Sequence, residues 1–155
     1  MSKDILLNII ENYKEQYKLY EQMLNLAKEQ TSLLDADKLG LELHDILQDR
    51  AAIMSRITTF IQSNKLQQED LKLNLNLESF NIKQLENNEN LEDVPVLKDL
   101  LALIGDILIK INDSDKVNES IIRVNLRKRL SSDNPTKVTD IYKDSMDKYN
   151  PSADN

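Results

Sequence analysis

The chain has 155 residues, 40% hydrophobic and 30% charged, with a net charge of -7, two Gly, three Pro, one His and neither Cys nor Trp. Two Gly cannot build a Gly-rich phosphate cradle, the lack of Cys excludes disulfides and thiolate chemistry, and one His leaves little for His-dependent catalysis. The acidic balance opposes bulk attraction to nucleic acid or anionic membranes, which leaves a one-domain binding or structural protein, or an enzyme of an unusual kind. Since the spacing places no two acids inward together on the helical seams, the expectation is a protein that is not an enzyme, with no cofactor and no metal.

Residues 3–34 carry the first helical pattern. Leu6, Ile10, Tyr13, Tyr17, Tyr20, Leu24, Ala27, Thr31 and Leu34 alternate in steps of four and three, a heptad seam. Ile5, Ile9, Leu19, Met23 and Leu26 widen the stripe on both sides, which predicts a helix touching two neighbours rather than a two-stranded coil. The short run Ile5 to Leu7 is broken by Asn8 and closed by Glu11, too brief for a signal-peptide core. Asp35 or Asp37 is placed to cap a second helix over 38–63, whose seam is Leu39, Leu43, Ile46, Arg50, Ile53, Ile57 and Phe60. Arg50 interrupts that seam, so it is expected near the surface or paired with an acid.

Residues 64–93 are rich in Asn, Gln, Glu and Asp. Leu71, Leu73, Leu75 and Leu77 alternate with polar residues, a strand-like period, and Ser79 is placed to cap a turn or two ending near Asn87. This stretch reads as a long connection. A third helix is predicted over 94–130, with Pro95 suited to its first turn and Leu97, Leu101, Ile104, Leu108 and Ile111 as its seam. Lys98, Asp99, Asp106 and Lys110 make its apolar half a poor membrane span, so no membrane insertion and a cytoplasmic location are expected. Beyond Leu130, Asn134-Pro135 is a cap followed by a first-turn proline. Val138, Ile141, Tyr142, Met146 and Tyr149 then give a short amphipathic segment over 135–149, inside a flexible tail over 131–155. The predicted fold is all-α: an elongated, antiparallel, coiled-coil-like three-helix bundle over 1–130.

Several patterns have a plain structural explanation. Asp35, Asp37 and Gly40 resemble the start of a calcium loop, but Leu39 and Ile46 stand where oxygen ligands belong, and a capped turn accounts for them. His44 has Leu41 three residues before it, not the Glu of a bundle metal site, so it reads as solvated. Tyr13, Tyr17 and Tyr20 read as core aromatics with hydroxyls at the rim. Lys116, Arg123, Arg127, Lys128 and Arg129, opposed by Glu119, suit a helix C-terminus or an acidic protein partner. The sequon Asn118-Glu119-Ser120 lacks a secretion signal and is set aside.

The far half of the third helix is the most informative. Val117, Ile121, Ile122, Val124, Leu126 and Leu130 persist there, but Asp115, Asn118 and Asn125 occupy core positions. Burying each without a partner costs about 1–3 kcal/mol. The expectation is a half-open groove that a partner completes.

Asp115-x-x-Asn118-x-x-Ile121-Ile122, following the amphipathic run from Leu97 to Ile111, resembles the Asn-x-x-Asn-x-x-Leu-Leu pattern of the FlgN-type flagellar export chaperones. Asp replaces the first Asn, and Ile-Ile replaces Leu-Leu. The break at Leu34-Asp35-Ala36-Asp37-Lys38-Leu39 is similar to that family's link between its first two helices. The resemblance covers residues 3–130. It implies a cytoplasmic chaperone that binds C-terminal helical segments of hook-associated flagellar proteins, prevents their early assembly and escorts them to the export gate, without nucleotide or metal. It also implies a client surface at Val117, Asn118, Ile121, Ile122, Val124, Leu126 and Leu130, extended by Ile141, Tyr142, Met146 and Tyr149. A monomer or weak homodimer is expected. The competing reading is a homodimeric coiled-coil spacer or adaptor with no export role.

Overall fold

A computed structural model describes residues 1–88 and 90–130. All regular structure among them is helical: α1 Ser2–Asp35, α2 Leu41–Leu75, α3 Ile82–Glu86 and α4 Val94–Leu130. The first and last long helices occupy the stretches their seams predicted, with Pro95 in the first turn of α4.

Helix α2 differs from the expectation. It runs on to Leu75, so the alternating leucines are helical rather than strand-like. Leu71 is fully buried and Leu75, one turn later, is half-buried, whereas Leu73 is exposed. Their burial follows a four-residue step, which is the helical period and not the strand one. The cap expectations also change. Helix α2 begins at Leu41, beyond both Asp35 and Asp37, and the N-cap of α3 is Asn81, whose side chain accepts from the Gln84 amide. Ser79 instead accepts a bond from the Asn81 amide at 2.9 Å.

Helices α1 and α2 end in the same way. Asp37 (φ 56°) and Asn76 (φ 54°) adopt the left-handed region. Around Asp37, the Lys38 amide donates to the Leu33 carbonyl and the Asp37 amide to Leu34; around Asn76, Leu77 donates to Lys72 and Asn76 to Leu73. These are Schellman closures, which satisfy the last helical carbonyls.

The chain divides into two compact units, the first built from Met1–Gln22 and Met54–Ile109, the second from Met23–Ile53 and the described part of Lys110–Asn155. In the first unit Leu6, Ile9, Ile57, Leu71, Leu85 and Leu97 are essentially inaccessible. Leu85 is the one buried residue of α3 and anchors that short helix. A polar ladder crosses this core. Asn12 Oδ1 accepts from Gln16 (2.7 Å) and from Asn64 (3.1 Å), while Asn12 Nδ2 donates to the Phe60 carbonyl (2.9 Å). Gln68 Nε2 donates to Asn64 Oδ1 (3.1 Å) and to the Tyr13 hydroxyl (2.9 Å).

Burial pushes the Tyr13 phenol above its ordinary value, against a smaller opposing effect of the Gln68 bond. Burial, then repulsion from Tyr13, raises Tyr20 as well. An unfolded phenol ionises near about pH 10. Because the folded values lie higher, the native state holds protons that the unfolded state has already lost, and stability falls as pH rises past that point. Thermal melts between neutral and strongly alkaline pH should show this decline, shallower in a Tyr13→Phe, Tyr20→Phe double variant.

The second unit is joined differently. Its buried apolar residues, Met23, Leu24, Ala27, Leu34, Leu43, Ile46 and Ile53, all come from α1 and α2. Leu34 and Leu43 form a cluster against which Ile121, Ile122 and Leu126 of α4 are only partly buried. Between Lys110 and Leu130 the only fully buried residue is Asn118.

Candidate protein-binding surface

The attachment of α4 within the second unit is polar at two levels. Arg50 on α2 is 1% exposed. Its guanidinium makes two near-parallel bonds to Asp115 on α4, Nη1 to Oδ1 at 2.7 Å and Nη2 to Oδ2 at 2.8 Å. Nη1 also donates to Gln30 of α1 at 2.7 Å, and Nε faces the Met23 sulfur at 3.2 Å. The planar fork of arginine matches a carboxylate edge, and its further donors let Arg50 reach from α2 to α1 and α4 at once. Of the two placements expected for Arg50, the surface one is excluded and the acid-paired one holds.

About a turn further along α4, the Asn118 amide donates to the Ala27 carbonyl at 3.1 Å, and its oxygen accepts from the Thr31 hydroxyl at 2.5 Å. Thr31 also meets the Ala27 carbonyl at 3.0 Å. Asp115 and Asn118 are therefore satisfied inside the chain. The expectation that these two residues mark an unsealed core is corrected: Asp115 has its partner on α2 and Asn118 on α1. At the end of α4, Arg129 bonds Asp37, and Arg123 bonds Glu119 at 2.5 Å.

The apolar residues of this half behave otherwise. Val117 is 49% exposed, Val124 48% and Leu130 60%. Ile121, Ile122 and Leu126 are half-buried. Val117 and Val124 are seven residues apart, two turns, and so lie on one line of the helix surface with Ile121 beside it. Leu130 lies off that line, and Asn118, once expected at a partner contact, faces inward. Ile141, Tyr142, Met146 and Tyr149 lie outside the described residues.

Beside Val117 a groove of about 540 Å3 runs between α1 and α4, lined by Leu24, Lys28 and Thr31 on one wall and Lys110, Asp113, Ser114 and Val117 on the other. Leu24 is buried beneath it, and both lysines are exposed. Neither lysine was legible as a site residue: Lys110 stood out only as a charge within an apolar run, and Lys28 not at all, because isolated surface cations leave no pattern. Thr31 was read only as a member of the α1 seam; the signal that could have found it is a hydroxyl between Ala27 and Leu34 on that seam.

Tyr13 and Tyr17 are half-buried and Tyr20 is buried, all in the first unit. His44 is half-buried on α2. Among the described residues no three His, Asp or Glu side chains converge as metal ligands, and no helix is long and apolar enough to cross a membrane. The surface offers hydrophobic contact, bordering cations and a shallow groove, the ingredients for docking a helix. No family model, no curated protein and no solved structure matches this chain.

Proposed function

We propose that this chain is a cytoplasmic export chaperone of the flagellar type, which holds the C-terminal helical segments of hook-associated subunits and passes them to the export apparatus. One observation carries the reading: along 117–130, six apolar side chains (Val117, Ile121, Ile122, Val124, Leu126 and Leu130) stay partly or largely open to water. Exposed apolar side chains along one helix of a chain this charged suit a helical partner. A subunit that polymerises through amphipathic helices exposes an apolar stripe when alone, and a second stripe of the same kind covers it by helix packing. The paired Asp115 and Asn118 keep the carrier helix in place on its own chain while its outer row remains available.

We read the second unit as an antiparallel three-helix arrangement, which suits this role. Within the second unit, Gln30 of α1 meets Arg50 of α2 while Leu34, further along α1, packs with the earlier Leu43. Asn118 reaches Ala27 and Thr31, and Arg129 reaches Asp37, so α4 advances in step with α1. Val117 and Val124 of α4 stay exposed in that order.

Calorimetric titration of the full chain with peptides from the C-terminal helices of hook-associated subunits tests the reading. Val117→Asp with Val124→Asp should weaken binding by about tenfold to a hundredfold, the range for losing central apolar contacts. Absence of binding to the unaltered chain, or equal binding by the double variant, overturns it. A sedimenting homodimer that the same double variant disperses would favour the coiled-coil spacer instead.

A further inference from the structure

The row of Val117 and Val124, with the groove beside it, is framed by cations, and we infer that its occupant is an acidic amphipathic helix of a partner protein. The inference rests on the protein-binding reading above and adds the chemistry of the partner.

Residues 110–130 contain six Lys or Arg and three acids, a local excess of positive charge in a chain of net charge -7. Two of those acids are already engaged: Asp115 by Arg50 and Glu119 by Arg123. The excess borders the apolar row. Lys110 lies seven residues before Val117, on the same line of the helix, and Lys28 stands across the groove on α1. Lys128 follows Val124 by four residues, which places it at the far end of that line.

A partner helix laid along this line needs apolar residues about seven apart to meet Val117 and Val124. It also needs Asp or Glu at the flanking positions to meet Lys28 and Lys110. A helix flanked by lysines would set like charges together at the groove, a juxtaposition that penalises the wrong partner. A nucleic acid would match the cations but gain nothing from Val117, Val124 and Leu24. The other candidates for the surface, a second copy of the chain and its own residues 135–149, are outcomes of the test.

Two synthetic helical peptides with one shared leucine row, flanked by Glu in the first and Lys in the second, supply the probe. Fluorescence anisotropy with the full chain should give at least about tenfold tighter binding of the Glu peptide at low salt. The gap should narrow as salt rises about tenfold and the screening length shrinks roughly threefold. Lys28→Glu with Lys110→Glu, both on exposed positions, should abolish the discrimination and leave the helical circular dichroism unchanged.

Equal affinity for both peptides, no binding of either, or discrimination that survives the lysine replacements overturns the inference. So does a gain in Glu-peptide affinity on Ile141→Asp with Tyr142→Asp, which would make the chain's own tail the occupant. A homodimer dispersed by Val117→Asp with Val124→Asp overturns it too. Hook-associated segments that bind through Val117 and Val124 with no salt or charge dependence would remove this inference and leave the chaperone reading standing. Capture of the Glu peptide without any hook-associated segment would do the reverse.

Discussion

Replacing Asp115 by Ala should destabilise the chain by about 3 kcal/mol, and chemical unfolding of the variant against the unaltered chain measures it. Breaking a buried ion pair from one side costs roughly 3–5 kcal/mol, because the remaining charge stays away from water without compensation. Here the remaining charge is Arg50, only 1% exposed. Asp115 is 35% exposed, so water can enter the vacated space and hold the loss near the lower end of that range. Gln30 keeps one donor occupied but brings no charge. Replacing both partners at once, Arg50→Met with Asp115→Leu, should cost far less than either single change, since apolar packing often equals or exceeds a buried ion pair. A double variant as unstable as the sum of the singles would show that the guanidinium serves packing rather than charge.

The second large effect is expected at Asn12. Its side-chain oxygen is the acceptor for two buried donors, on Gln16 and Asn64. Asn12→Ala leaves both unmet, at about 1–3 kcal/mol for each buried group, or about 2–4 kcal/mol together if they relax in part. Leucine at both 12 and 64 removes the Asn64 donor together with its acceptor and should recover part of that loss, while the Gln16 donor stays unmet. The cost then shifts to specificity. Buried amides at seam positions fix which residues face one another, and an all-apolar seam tolerates other pairings. Size-exclusion chromatography should show the double-leucine protein spread over more than one species, where the unaltered chain gives one.

These two networks also mark where the sequence stopped being readable. The seams of α1 and α4 were legible because apolar residues in steps of three and four have no competing explanation over so many turns. The end of α2 was not, since Asn64 and Gln68 have the composition of a solvated connection. In hydropathy a buried, hydrogen-bonded amide looks the same as a wet one. Leu71 to Leu77 deepened the error, because leucine at every second position also satisfies a helix when only every other one turns inward. Arg50 and Asp115 were each visible as intruders on separate seams. That two intruders of opposite charge would answer one another is a rule that could have been applied. At the candidate surface, Val117 and Val124 are exposed although Asp115 and Asn118 on the same helix are satisfied, so their openness comes from their outward direction and not from unmet polar neighbours. The groove lysines needed coordinates, because what joins Lys28 to Lys110 is proximity across two helices.

The two helix ends closed by Asp37 and Asn76 carry a further consequence. Both residues hold a backbone shape that glycine adopts without penalty, yet neither of the chain's glycines has positive φ. At 76 the side chain is exposed, and glycine would be expected to ease the bend at little loss. At 37 the same exchange would also delete the carboxylate that Arg129 grips. One corner is therefore an interchangeable bend, whereas the other doubles as a clasp, and an ancestor or a designer could relax the first but not the second.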